Sequence, residues 1–139
     1  MLAHNLGRAY ETIFREFEGA SSIEAVTTIP QGGTGDVKYH HGAQGTYQCG
    51  DTESVLVRLE SNPSHLEYVA PVVTGATRAV QTSRQGTHAT LDTNAAMPII
   101  LHGDAAFPGQ GVVAETFNLQ ALDGYTVGGS LHLLSLIHI

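Results

Sequence analysis

The chain has 139 residues, 42% of them hydrophobic and 14% charged, which suits one domain with a real core and not a disordered polymer. Its formal charge of −7 comes from 13 acidic against 6 scattered basic residues, which argues against the clustered cationic face of a nucleic-acid binder. No apolar run approaches the roughly 20 residues of a membrane span, and no basic-then-apolar leader opens the sequence. With Cys49 as the single cysteine, an internal disulfide is excluded and a reduced, cytoplasmic protein is expected.

Ala9, Ile13, Phe14 and Phe17 recur at helical spacing, so a helix is predicted over Arg8–Glu18 with Gly19 as its C-cap. Gly32-Gly33-Thr34-Gly35 reads as a flexible loop. Ser54 to Leu59 alternates, with Val55, Val57 and Leu59 on one side, and is predicted as a strand stopped by Asn62-Pro63-Ser64. Ser64 and Glu67 have capping-box spacing, so a helix is predicted from Ser64, broken or kinked before Pro71 and resuming towards Gln81. Ser83 to Ala95 is polar and reads as a loop.

Met97 to Leu101 is a short apolar run meeting the turn residues His102-Gly103-Asp104. Gly109 to Leu122 then carries Val112, Thr116 and Leu119 along one helical side, with Val113 and Phe117 beside them. A second apolar run, Leu131 to Leu134, follows Gly128-Gly129. Strand, helix, strand is a βαβ unit, so an α/β fold with a parallel sheet is expected, the strand ending at Leu101 lying near its centre.

Three segments carry chemistry. Gly35-Asp36-Val37-Lys38-Tyr39-His40-His41-Gly42 holds adjacent histidines, which point apart and seldom share a metal; one buried histidine in a loop is the simplest reading, a general acid/base the functional one. Asn62-Pro63-Ser64-His65-Leu66-Glu67 reads as a helix start, whose free N–H groups also suit an anion. In His102-Gly103-Asp104-Ala105-Ala106-Phe107-Pro108-Gly109-Gln110-Gly111, Asp104 falls outside the carboxyl end of a strand, where open α/β sheets bind ligands. The small neighbours admit a bulky group, and a carboxylate beside a diphosphate suits Mg²⁺; capping of the following helix is the plainer role for Asp104.

In this order the three segments resemble the thiamine-diphosphate-dependent decarboxylating component of 2-oxoglutarate dehydrogenases, with the actinobacterial multifunctional form nearest. The likeness runs from about Leu2 to Leu134 and includes Ile13-Phe14-Arg15-Glu16-Phe17-Glu18-Gly19, Gly111-Val112-Val113-Ala114-Glu115-Thr116 and Gly124-Tyr125. It implies the parallel-sheet thiamine-diphosphate-binding fold, here incomplete. It implies Asp104 as the Mg²⁺ ligand, with Ala105 and Ala106 along the diphosphate, and Ser64 and Leu66 at the cofactor. It places His40 as a catalytic residue near cofactor and substrate, Ser64 as a further substrate contact, and His65 as a second catalytic candidate.

By the same resemblance, 2-oxoglutarate is decarboxylated and the succinyl unit passes to a lipoyl-bearing succinyltransferase component. The intact enzyme is expected as a homodimer, with no nucleic-acid or membrane partner. A 2-oxoadipate-preferring relative shares these motifs, and a phosphoesterase using His102, Asp104 and other histidines on two metals is the reading from another class. The family's Asn-Asn-Gln segment would fall where this chain has Ser135-Leu136-Ile137-His138-Ile139. Residues 1–134 are therefore expected to be a partial diphosphate-binding domain, inactive alone, and 135–139 an atypical tail of the kind a frameshift or read-through leaves. With neighbouring elements missing, apolar surface should stay exposed.

Overall fold

A computed structural model describes residues 3–17, 40 and 42–135. The chain divides into two units, Met1–Asn62 and Pro63–Ile139.

In the first unit, helix α1 spans Tyr10–Phe17, two residues inside the predicted start. The Ala9 carbonyl accepts from the N–H groups of Thr12 and Ile13, and the rings of Tyr10 and Phe14 stack one turn apart at 6.1 Å. Its predicted end at Glu18 and Gly19, and the loop at Gly32 to Gly35, lie outside the described residues. Strands β1 (Ala43–Cys49) and β2 (Glu53–Leu59) form an antiparallel hairpin in unbroken register from Ala43 opposite Leu59 to Cys49 opposite Glu53. Gly50 closes it with φ +76°, a left-handed conformation that glycine adopts without steric cost. The alternation of Val55, Val57 and Leu59 foretold β2, whereas β1 was not predicted.

The second unit opens with a bend at Ser64-His65 and a turn through Tyr68, and helix α2 then spans Val69–Gln81. This corrects the helix predicted from Ser64. Tyr68 occupies the N-cap position with no side-chain cap, and Glu67 has φ +71°, which no helix interior tolerates. The capping box therefore does not form. Pro71 is the third residue of α2, inside the first turn, where its missing N–H removes no helical bond, so no break is needed. The predicted loop Ser83–Ala95 contains the second half of a small antiparallel ribbon, β3 (Thr82–Ser83) with β4 (Thr90–Leu91).

Strand β5 (Ile99–His102), the short helix α3 (Ala106–Gly109), helix α4 (Gly111–Gln120) and strand β6 (Leu131–Leu134) make the expected βαβ unit. The strands pair in parallel from Ile99 opposite Leu131 to His102 opposite Leu134. Flanking bonds extend the ladder: Leu131 N–H donates to the Pro98 carbonyl at 3.0 Å, and Ser135 N–H to the His102 carbonyl at 2.8 Å. Among the described residues β5 has one strand neighbour and is an edge, which corrects its predicted central place.

The side chains alternate across this pair. Ile100 and His102 are buried, and His132 half-buried, on the face covered by helices. Ile99, Leu101, Leu131 and Leu133 stay 44–55% exposed on the other, as the expectation of open apolar surface required. Parallel sheets are normally covered on both faces.

The core of this unit is small: Ala70, Pro98, Ile100, Val113 and Val127, with Thr74, Thr77 and Thr116 among them. Burying threonines is tolerable where the hydroxyl bonds back along the helix, as Thr74 Oγ1 does to the Ala70 carbonyl and Thr116 Oγ1 to that of Val112. Gln81, 1% exposed, donates from its amide nitrogen towards the carbonyls of Thr93, Ala96 and Val127, tying two connecting segments to the end of α2. Gly128 faces the same region at φ +78°, and a Cβ there would lie 2.7 Å from that of Thr93.

Candidate functional site

The carboxyl end of β5 delivers His102 and the turn Gly103-Asp104 to one place. Asp104 Oδ1 accepts from the Ala106 N–H at 2.8 Å and the Asp104 carbonyl from the Phe107 N–H at 3.3 Å, which ties the turn to the start of the short helix. The N-cap positions are Ala105 for α3 and Gln110 for α4, neither with a side-chain cap, so Asp104 does not cap the helix predicted over Gly109–Leu122. Asp104 remains exposed, as does Ala105, while Ala106 is half-buried. Nothing lies within 4 Å of a Cβ built on Gly103, so the turn leaves open space beside its backbone.

The segment Ser64-His65-Leu66 is brought to this turn by a buried ion-pair geometry. Glu67 Oε2 stands 2.6 Å from His102 Nδ1, and the side chains are 6% and 2% exposed. Ser64, His65 and Leu66 are themselves exposed, with the His65 ring edge-on to Tyr68 at 4.3 Å. The second and third segments of the sequence thus converge. His40 belongs to the first unit, where it is half-buried just ahead of β1; the rest of its motif, Gly42 excepted, lies outside the described residues.

His102 is also the start of a longer array. Its Nε2 is 2.8 Å from His132 Nδ1; His132 Nε2 is 2.9 Å from Ser130 Oγ; and Gln120 Nε2 donates to that hydroxyl at 2.9 Å. One arrangement of protons satisfies every link with both imidazoles neutral: Ser130 O–H to His132, His132 Nδ1–H to His102, and His102 Nδ1–H to the Glu67 carboxylate. The two imidazoles are nearly coplanar in orientation, with centroids 5.1 Å apart, and Phe107 and Phe117 pack around them. Burial pulls the His132 imidazole below the ordinary histidine value; the neighbouring His102 acts in the same direction and Glu67 opposes it.

Residues 5–138 match the family model described as dehydrogenase E1 component. The chain belongs to that family. The 2-oxoglutarate dehydrogenase E1 components of Bacillus velezensis and Bacillus subtilis are each 48% identical to it over 141 aligned positions, covering 97% of this chain. That of a Geobacillus species is 49% identical over the same share. The chain spans 15% of the length of each of these relatives.

Within this E1 segment, the motifs seen in sequence hold the exposed groups, and the buried array beneath them went unseen. Glu67 was assigned to a helix cap because its partner is 35 residues away, and His132 was passed over inside an apolar run. A signal did exist: histidines at the last position of β5 and the second of β6 fall on the same sheet face once the strands are paired in parallel. The two-metal phosphoesterase reading fails here, because both ring nitrogens of His102 are already engaged and the ring is buried. No cluster of three or more metal-binding side chains occurs among the described residues, and no helix among them is long and apolar enough to cross a membrane.

Proposed function

We propose that this chain is a segment of a 2-oxoglutarate dehydrogenase E1 component, whose parent decarboxylates 2-oxoglutarate on thiamine diphosphate and passes the succinyl group to a lipoyl-bearing succinyltransferase. The identity of 48–49% over nearly the whole chain to relatives bearing that name carries the reading and favours 2-oxoglutarate over 2-oxoadipate. The actinobacterial multifunctional subtype and the homodimer rest on the motif resemblance.

The residues fit the diphosphate side of such a cofactor. Asp104 presents an exposed carboxylate with one oxygen held by a backbone N–H, and Gly103, Ala105 and Ala106 keep the approach clear. A single carboxylate suits Mg²⁺ when phosphate oxygens and water complete its shell. When bound, thiamine diphosphate supplies the nucleophile for the 2-oxo carbon and the ring that takes up electrons as carbon dioxide leaves. In this reading Asp104 holds the metal, Ala105 and Ala106 lie along the diphosphate, and Ser64 and Leu66 border the cofactor. Ser64 and His40 contact substrate, and His40, with His65 as second candidate, moves a proton at an imidazole nitrogen.

The test is titration of the isotope-labelled chain with thiamine diphosphate and Mg²⁺. Amides of Gly103 to Ala106 and Ser64 to Leu66 should shift together, with affinity no tighter than roughly millimolar, and Asp104→Ala should remove the Mg²⁺ dependence. Shifts that are absent at saturation, or unchanged in Asp104→Ala, would sink the assignment.

A further inference from the structure

We propose that Glu67 is a positioning residue: with His102 it forms a buried latch that holds Ser64–Leu66 beside the Gly103–Asp104 turn, and so sets the geometry of the diphosphate side. The inference rests on the functional reading above, which assigns roles to Ser64, Leu66 and Asp104 and none to Glu67, His102 or His132.

Three independent observations carry it. Glu67 is a non-glycine residue at φ +71°, an unfavourable conformation that persists only where surroundings enforce it. Its side chain is buried in a site where a carboxylate must be paired, and the partner is 2.6 Å away. The partner is fixed in turn, since His102 is held through His132 and Ser130 to Gln120, on α4 and the approach to β6. A glutamate chosen only for its backbone would be a poor choice at positive φ. One that bonds a strand residue from there turns the chain between Leu66 and Tyr68 and anchors it, with the Ala70 N–H then bonding the Glu67 carbonyl to start α2.

The latch thus joins two exposed stretches. Ser64 to Leu66 lie immediately before Glu67, and Gly103-Asp104 immediately after His102. Removing the carboxylate should free the first stretch and leave His102 Nδ1 without its acceptor, while α4 and β6 keep their packing.

The experiment is amide hydrogen exchange on the 139-residue chain, comparing the parent with Glu67→Ala, Glu67→Gln and Glu67→Gly. In Glu67→Ala, exchange at residues 65–70 and 103–107 should quicken about tenfold relative to α4, as expected for one buried charge-assisted hydrogen bond. Glu67→Gln, whose amide oxygen still accepts from His102, should recover most of the protection. Glu67→Gly relieves the backbone yet should behave like Glu67→Ala. Equal quickening throughout the chain, or full protection in Glu67→Gly, would overturn the latch.

Should the variants not fold, nitrogen spectra of the parent decide: His102 must carry a solvent-protected proton on Nδ1, and its absence overturns the proposal. Adding thiamine diphosphate and Mg²⁺ separates this inference from the functional reading. Shifts at 103–106 present in the parent and weakened in Glu67→Ala support both. The expected exchange pattern with no cofactor response in either protein keeps the latch and overturns its role at a cofactor.

Discussion

The β1–β2 hairpin and the β5–β6 pair show two ways of holding strands together. The hairpin is seven residues on each side, local in sequence, and mostly exposed, with no buried residue in either strand. The parallel pair is four residues long, its strands separated by two helices, and one face sits over the buried core and the histidine array. The first is specified by backbone pairing around one turn; the second exists only through what packs against it. Substitutions should therefore be tolerated in the hairpin and punished under the parallel pair.

The largest effect is expected at Gln81. Gln81→Ala deprives the carbonyls of Thr93, Ala96 and Val127 of a shared donor and opens a cavity, and should cost about 3 kcal/mol, on the order of 15 °C in Tm. A thermal melt checks it; a change within a degree or two would show that the loops around α2 hold themselves.

An intermediate effect is expected from pH. Because the His132 imidazole is held below its ordinary value, the folded state binds fewer protons there than the unfolded state as pH falls through the histidine range. Its contribution is fully present above the unfolded value of about 6.5 and is lost as pH drops below it. His132→Phe, flanked by Phe107 and Phe117, should flatten the decline in Tm between about pH 7 and 5 relative to the parent. Parallel Tm-versus-pH curves for the two proteins would remove His132 from the account.

The smallest effect is expected in the hairpin. Leu56 is 66% exposed, and Leu56→Thr should change stability by no more than about 0.5 kcal/mol by chemical denaturation. A larger loss would mean that the first unit buries this side chain and that the contrast between the two regions is false.

The same contrast explains what could be read in the sequence. Apolar periodicity gave β2, β5, α4 and β6, since each presents hydrophobic residues at the spacing its geometry demands. It missed β1, where Gln44, Thr46 and Gln48 alternate with Ala43, Gly45, Tyr47 and Cys49, a face too small and too interrupted by glycine to stand out as an apolar stripe. Ser64 and Asp104, both exposed, stood out as candidates because they sit in short motifs bounded by Pro and Gly. The buried array was not, because Glu67, His102 and His132 become neighbours only after the strands pair, and a Ser-x-x-Glu spacing offered Glu67 a local partner first.

The uncovered side of the parallel pair has a consequence for how this polypeptide behaves at different concentrations. Ile99, Leu101, Leu131 and Leu133 form a greasy strip on a short sheet that, among the described residues, has no further strand on either edge. Dilute molecules can persist singly, while crowded ones meet strip to strip before they meet anything else. Yield from an overexpressing cell should then be set less by melting temperature than by crowding during synthesis, with slower induction giving more dispersed material and light scattering rising steeply above a threshold concentration.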